Sequence, residues 1–281
     1  MTRMSNLLSF VTANFIAREC GYHLDGGWEA GQPAIEAYFR PPETFEARFD
    51  ALLAEVRALG FAAVDIWTGH LSPAWATPGQ MSAARRCLER QGLQPVSVAG
   101  YFGSTLPELE AVCRLAAGLG APILGGVAPM LGRQRAEVVA LLRSYGLVLA
   151  IENHQHTSAG QLLAEIGEGP AELVGACVDT GSFATRGCDA AGAIETLGAR
   201  VLHVHFRDVV PTDSDESVRF GQGCVPLPGC IAALRRAGYA GAISVEHEPE
   251  DHGPRDDCRA SLEMLKNWLE PGSIKREGET C

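Results

Sequence analysis

Short apolar runs alternate with helix-patterned segments eight times along this chain. The runs are Leu7 to Thr12, FAAVDIWTGHL, PVSVAGYFG, APILGGVA, LVLAIENH, LVGACVDTG, RVLHVHFRD and AISVEHE. The segments after them are PPETFEARFDALLAEVRALG, MSAARRCLERQG, LPELEAVCRLAAGLG, RQRAEVVALLRSYG, Gly160 to Ile166, DAAGAIETLG, IAALRRAG and RDDCRASLEMLKNWLE. An irregular loop is expected from Cys20 to Pro42. Parallel neighbours need a crossover between them, so this repetition predicts a parallel sheet sheathed in helices. Eight units in about 270 residues fit a (β/α)8 TIM barrel, one domain over 1–270 with a polar tail over 271–281. A doubly wound open sheet is the alternative architecture.

Four of the later runs end on a residue able to bind a metal ion: Glu152, Asp179, His205 and Glu246. Successive ones stand about one strand–helix unit apart, the last after a longer loop. A closed barrel gathers the C-terminal ends of its strands at one face, whereas an open sheet would leave them in a row. Each residue has an ordinary reading alone: a helix cap, a turn residue, a core histidine, a solvated loop end. Together those readings require four coincidences at matching positions. Three carboxylates and one imidazole make a hard, anionic site. It suits manganese first, then magnesium, cobalt or ferrous iron, over thiolate-bound zinc. Open positions on such an ion would accept two adjacent substrate oxygens, as in an α-hydroxyketone, and promote proton loss beside the carbonyl.

Other functions are disfavoured by what the chain lacks. The formal net charge is −11, a poor match for a phosphate backbone, so no nucleic-acid partner is expected. The two lysines, Lys266 and Lys275, fall outside the strands, which argues against Schiff-base chemistry. There is no GK[ST] phosphate loop and no GxSxG elbow. GLGAPILGG lacks a third properly placed glycine and reads as a helix stop before a strand. Nine scattered cysteines without a CxxC pair suit a reducing, cytoplasmic setting. No apolar run is long enough for a membrane span.

Several residues stand near the expected strand ends as candidates for substrate contact or proton transfer. Glu152 and Glu246 come from different strands, so one can remove a proton while the other returns it. His203 shares a strand face with His205 and is a further catalytic candidate, with a core role as the alternative. His70, His154 and Arg207 are candidate contacts to substrate hydroxyl or anionic groups. Trp67 is expected to pack the barrel.

IENH, VDTGSF, HVHFRD, the GQG loop, RRAGYAGAISVEHE and the early VDIWTGHL resemble the xylose isomerase-like sugar phosphate isomerase/epimerase superfamily. The resemblance covers nearly the full chain and is strongest from Ala150 to Glu248. It implies a (β/α)8 barrel with a divalent metal on Glu152, Asp179, His205 and Glu246, and barrels that often pair as homodimers. In ketose 3-epimerases of that family the two glutamates also form the acid–base pair. Two positions depart: Ser182 stands where many relatives have His, and Pro211 where ketose 3-epimerases usually have Arg. Arg207 occupies the Lys or Arg position of the HxHxKD pattern. The expected activity is metal-dependent isomerisation or epimerisation of a ketose or keto-sugar through an enediolate. A lyase or dehydratase using the same proton abstraction is the alternative. An abasic-site endonuclease and a non-catalytic sugar-binding barrel rank below them.

Overall fold

The computed structural model describes residues 6–210 and 216–270; Pro211 and the tail expected over 271–281 lie outside them. Eight parallel strands close into a barrel: β1 (Leu8–Val11), β2 (Ala63–Trp67), β3 (Gln94–Tyr101), β4 (Ile123–Val127), β5 (Val148–Glu152), β6 (Val174–Asp179), β7 (Val201–Phe206) and β10 (Ile243–Val245). The order around the barrel is β1-β10-β7-β6-β5-β4-β3-β2, so there is no free edge and the open-sheet alternative is excluded. Between β7 and β10 lies an antiparallel pair, β8 (Asp208–Val209) with β9 (Ser217–Val218), where the sequence reading ends its seventh run at Asp208 and expects no further strand before the IAALRRAG helix.

The helices are α1 (Gly31–Phe39), α2 (Pro42–Ala58), α3 (Pro78–Gln91), α4 (Leu106–Leu119), α5 (Met130–Arg133), α6 (Arg135–Tyr145), α7 (Ala159–Ile166), α8 (Thr180–Thr185), α9 (Ala190–Leu197), α10 (Leu227–Arg236) and α11 (Arg255–Leu269). Their starts follow from local chemistry. Thr77 with Gln80, and Thr105 with Glu108, form capping boxes that satisfy the first amides of α3 and α4. Three helices depart from the sequence reading, α5 as an extra turn before α6. α1 forms inside the expected irregular loop, because Ile35 and Phe39 are spaced to bury one face. α8 starts directly on Asp179, whose carboxylate accepts from the amides of Gly181 and Ser182.

Register sets the barrel interior. Ser9 pairs with Ser244, Asp65 with Ser97, and Cys177 with His203. This puts polar groups in the centre, where barrels usually hold branched apolar layers. The GG of APILGG lies in β4 for a packing reason. A side chain on Gly126 would come within 2.0 Å of the Gly100 carbonyl oxygen. Paired amides fix two strand ends at the C-terminal face. Asn153 donates to the Asp179 carbonyl (2.9 Å) and accepts the Asp179 amide (2.7 Å). Asn14 does the same across β1 and β10, to the Val245 carbonyl (3.0 Å) and from the His247 amide (2.9 Å).

His70, expected at a substrate hydroxyl, is instead packed in the core. Its ring meets Phe39 and Trp67 edge-on at centroid distances of 5.0 and 5.3 Å, with no exposure. The turn Thr68–Gly69 carries the chain past the end of β2 and folds the imidazole back under α1. Burial, aided by the charge of Arg18, drives its pKa from 6.5 down to about 3. A ring that stays neutral when folded but takes a proton when unfolded favours unfolding as pH falls. Its contribution is intact above about pH 6.5 and erodes from there towards pH 3. By pH 5 the loss amounts to about 2 kcal/mol. Urea unfolding near neutrality and at pH 5 checks this: His70→Phe should lose less stability on acidification than the parent. Equal losses in both proteins would contradict the account.

Candidate metal centre and cavity

The C-terminal strand ends open into a cavity of about 1040 Å³ lined by Glu152, His154, His205, Arg207, Glu246 and Glu248, among others. At its floor the ligand atoms of Glu152, His205 and Glu246 lie within 4.8 Å of one another. His205 Nδ1 stands 2.7 Å from Glu152 Oε1 and 3.3 Å from Glu246 Oε2. Each comes from a different strand end: Glu152 closes β5, His205 lies in β7 and Glu246 follows β10. Three of the four expected ligands therefore converge.

Asp179 sits beside this group with its carboxylate already engaged. Oδ1 accepts from the amides of Gly181 (2.8 Å) and Ser182 (3.1 Å), and Oδ2 from the Ser182 hydroxyl (2.5 Å). Arg207 Nη2 lies 3.2 Å from Oδ2. Ser182, the departure from the usual His, thus binds the carboxylate directly. A carboxylate oxygen has two lone pairs, so these four contacts occupy both oxygens, and a cation on Asp179 would have to displace or share one of them.

Charge defines the floor. Burial opposes a charge on His205, but Cys177, Glu246, Glu152 and Asp65 outweigh it and hold the imidazole pKa well above its usual value. The Cys177 thiol is itself pushed up to about 12 by burial, so near neutral pH the carboxylates carry the effect. Burial, reinforced by the negative charge of Asp179, lifts the Glu246 pKa well above the carboxylate range. Glu246 Oε2 is buried without a hydrogen-bond partner among the described residues. This is a pocket of acceptors that calls for a cation.

Asp65, in the middle of β2, is the functional residue the sequence reading missed. It is fully buried and accepts from the hydroxyls of Ser9 (2.5 Å), Ser97 (2.8 Å) and Ser244 (2.9 Å). His203 Nε2 is 2.5 Å and His205 Nε2 3.3 Å from its Oδ2. Burial alone would raise its pKa. The charges and hydrogen bonds of the two histidines overcome burial and hold it far below the ordinary value. A carboxylate behind His205 orients the ring so that Nδ1 faces the glutamates. His203 is therefore placed beneath the floor, fully buried against Asp65 and not lining the cavity. A lone Asp in mid-strand gave no signal by itself, because its donors come from neighbouring strands.

Around the rim, His154 is exposed and lines the cavity. Arg207 lines it too while bound to Asp179 and Ser182. Glu248, two residues after Glu246, faces the same cavity, and burial lifts its pKa to about 7. The VEHEPE alternation held that signal. Asp208 anchors the GQG loop, accepting from the amides of Gly221 (2.8 Å), Gly223 (3.0 Å) and Val225 (3.0 Å).

A family model described as a xylose isomerase-like TIM barrel matches residues 53–268. An uncharacterized protein, MJ1311 of Methanocaldococcus jannaschii, is 27% identical over 143 residues, 48% of this chain and 47% of that protein. The chain thus matches about half the length of this curated relative. A crystal structure of an IolI protein with a bound zinc atom aligns at a TM-score of 0.68 and 16% identity, over 94% of this chain and 98% of that one. An L-ribulose 3-epimerase structure aligns at 0.67 and 15% identity, over 98% and 97%. At these identities the two likenesses show the fold. Among the described residues no helix is long and apolar enough to cross a membrane.

Replacing Asp65 with Asn removes the charge that four hydrogen-bond donors and the neighbouring His205 ring address. Breaking a buried ionic network in this way costs about 3 kcal/mol. Asp65→Asn should therefore unfold at a clearly lower urea midpoint, with Ser97→Ala costing less. A midpoint within error of the parent would show that the polar layer does not depend on that charge.

Proposed function

Because the chain belongs to the xylose isomerase-like TIM barrel family, we propose that it is a divalent-metal-dependent isomerase or epimerase of a ketose or keto-sugar. The observation that carries this reading is the convergence of Glu152, His205 and Glu246 at the floor of a sugar-sized cavity. Glu152, Asp179, His205 and Glu246 would hold the ion. The fit rests on the donor set, on the buried Glu246 oxygen that makes no hydrogen bond among the described residues, and on the Asp65 contact that turns His205 Nδ1 towards the glutamates. The carboxylate-rich set favours manganese, with magnesium, cobalt and ferrous iron next. A bound divalent ion supplies Lewis-acid polarisation of a substrate carbonyl and offsets charge developing beside it.

The remaining work falls to the chain's own side chains. Glu152 and Glu246 enter the cavity from β5 and from the end of β10, three strands apart around the barrel, and so approach a bound sugar from two directions. One takes the proton from the carbon next to the carbonyl; the other delivers a proton. Arg207 and His154 offer hydrogen bonds to hydroxyls. Trp67 and Trp28, edge to face at 5.3 Å, give the cavity an apolar wall. Ser182 in place of the usual His points to a substrate other than a free ketohexose.

A panel of free, phosphorylated and 3-oxidised sugars assayed with manganese in deuterated water tests the proposal. The expected product is an isomer or epimer carrying solvent deuterium. Glu246→Gln at confirmed full metal occupancy should lower turnover by at least about 10²-fold. Near-native exchange in that variant would reduce Glu246 to a ligand. A conjugated enone product absorbing in the near ultraviolet would replace the isomerase reading with a lyase.

A further inference from the structure

A second convergence of ligand atoms lies on the outer side of β10. Along Glu246–His247–Glu248 the backbone alternates, sending the two glutamates to the cavity and His247 the other way. His247 is fully buried there, facing the first turn of α11. Its Nε2 lies 3.3 Å from Asp257 Oδ2, and His252 Nε2 lies 3.2 Å from the same oxygen. Ligand atoms of the three residues fall within 4.8 Å of one another.

The far nitrogen of each ring is held. Ser217 Oγ is 3.2 Å from His247 Nδ1, and Asp251 Oδ1 is 2.6 Å from His252 Nδ1. Ser217 is fixed in turn by the Glu248 amide, which donates to it at 2.8 Å. Ligating imidazoles are typically oriented by such a partner on the second nitrogen. When the neutral His252 ring donates from Nδ1 to Asp251, its Nε2 presents a lone pair to a carboxylate oxygen. A proton or a metal ion between Nε2 and Asp257 Oδ2 satisfies both groups. A tetrahedral zinc with bonds near 2.0–2.1 Å separates its ligands by roughly 3.3 Å. Both N···O distances at Asp257 match that edge.

We propose that His247, His252 and Asp257 form a second divalent-cation site, separate from the one at the strand ends. Two imidazoles and one carboxylate suit zinc, in contrast to the harder set in the cavity. The site joins α11 to the segment after β10, whose Glu250, Asp251 and His252 line the cavity rim. That segment is otherwise tied down by the Leu24 amide, which donates to the Glu250 carbonyl at 2.9 Å. Zinc there would clip the rim in place without touching the reacting atoms.

Zinc stoichiometry by equilibrium dialysis, and the visible absorption of added Co2+, test this on the full chain, His252→Ala and His205→Ala. His252 is half exposed, so its removal spares the core; circular dichroism checks the fold. The parent should bind two zinc ions per chain. His252→Ala should lose one of them and the tetrahedral Co2+ bands. His205→Ala should keep those bands. Zinc binding and Co2+ bands that His252→Ala leaves unchanged overturn the proposal, as does a parent that binds no ion sensitive to His252. A failure of the cavity site reads differently, as His205→Ala losing nothing.

Discussion

Carboxyl groups buried inside the barrel and at its strand ends are the constraint on which the rest of this molecule turns. Asp65, Asp179 and Glu246 are buried, and Glu152 is half-buried beside them. Carboxylates removed from water must be matched by hydrogen bonds or cations. Three serines and two histidines serve Asp65; two amides, a hydroxyl and Arg207 serve Asp179. The remaining deficit falls on His205, whose raised pKa expresses the demand for positive charge. A divalent ion on Nδ1 and the glutamates would meet the same demand more fully than a proton.

The fold makes this arrangement affordable by spreading its cost over the barrel. Every residue of the cluster stands on a parallel strand or on the first residues after one. Asn153 and Asn14 lock neighbouring strand ends together, so the ligands are held by backbone and not by long flexible side chains. Asp179 serves two ends at once: it caps α8 and faces the His205 group. The pair β8–β9 and the loop gathered by Asp208 then carry the chain around the rim to β10.

Much of this was readable in the residues, and the exceptions have physical causes. The strands were legible because parallel barrel strands are short, apolar and separated by helices with their own periodicity. Glu152, His205 and Glu246 were legible because each breaks an apolar run at its end. Asp65 was not, since a charge in mid-strand reads as ordinary alternation until neighbouring strands supply Ser9, Ser97, Ser244 and His203. His70 misled for the converse reason: a polar ring after a strand suggests a site, but a turn can fold it under a helix. α1 and β8–β9 were hidden because short elements owe their stability to tertiary packing.

The most direct test of the central claim is calorimetric titration with Mn2+ near neutral pH, in two buffers of different ionisation enthalpy. The account predicts one ion per chain at the strand ends, with protons released as it displaces those held by the cluster. His205→Ala should weaken that binding strongly and reduce the proton release. Binding of undiminished affinity in His205→Ala, or no Mn2+ binding by the parent chain, would contradict it.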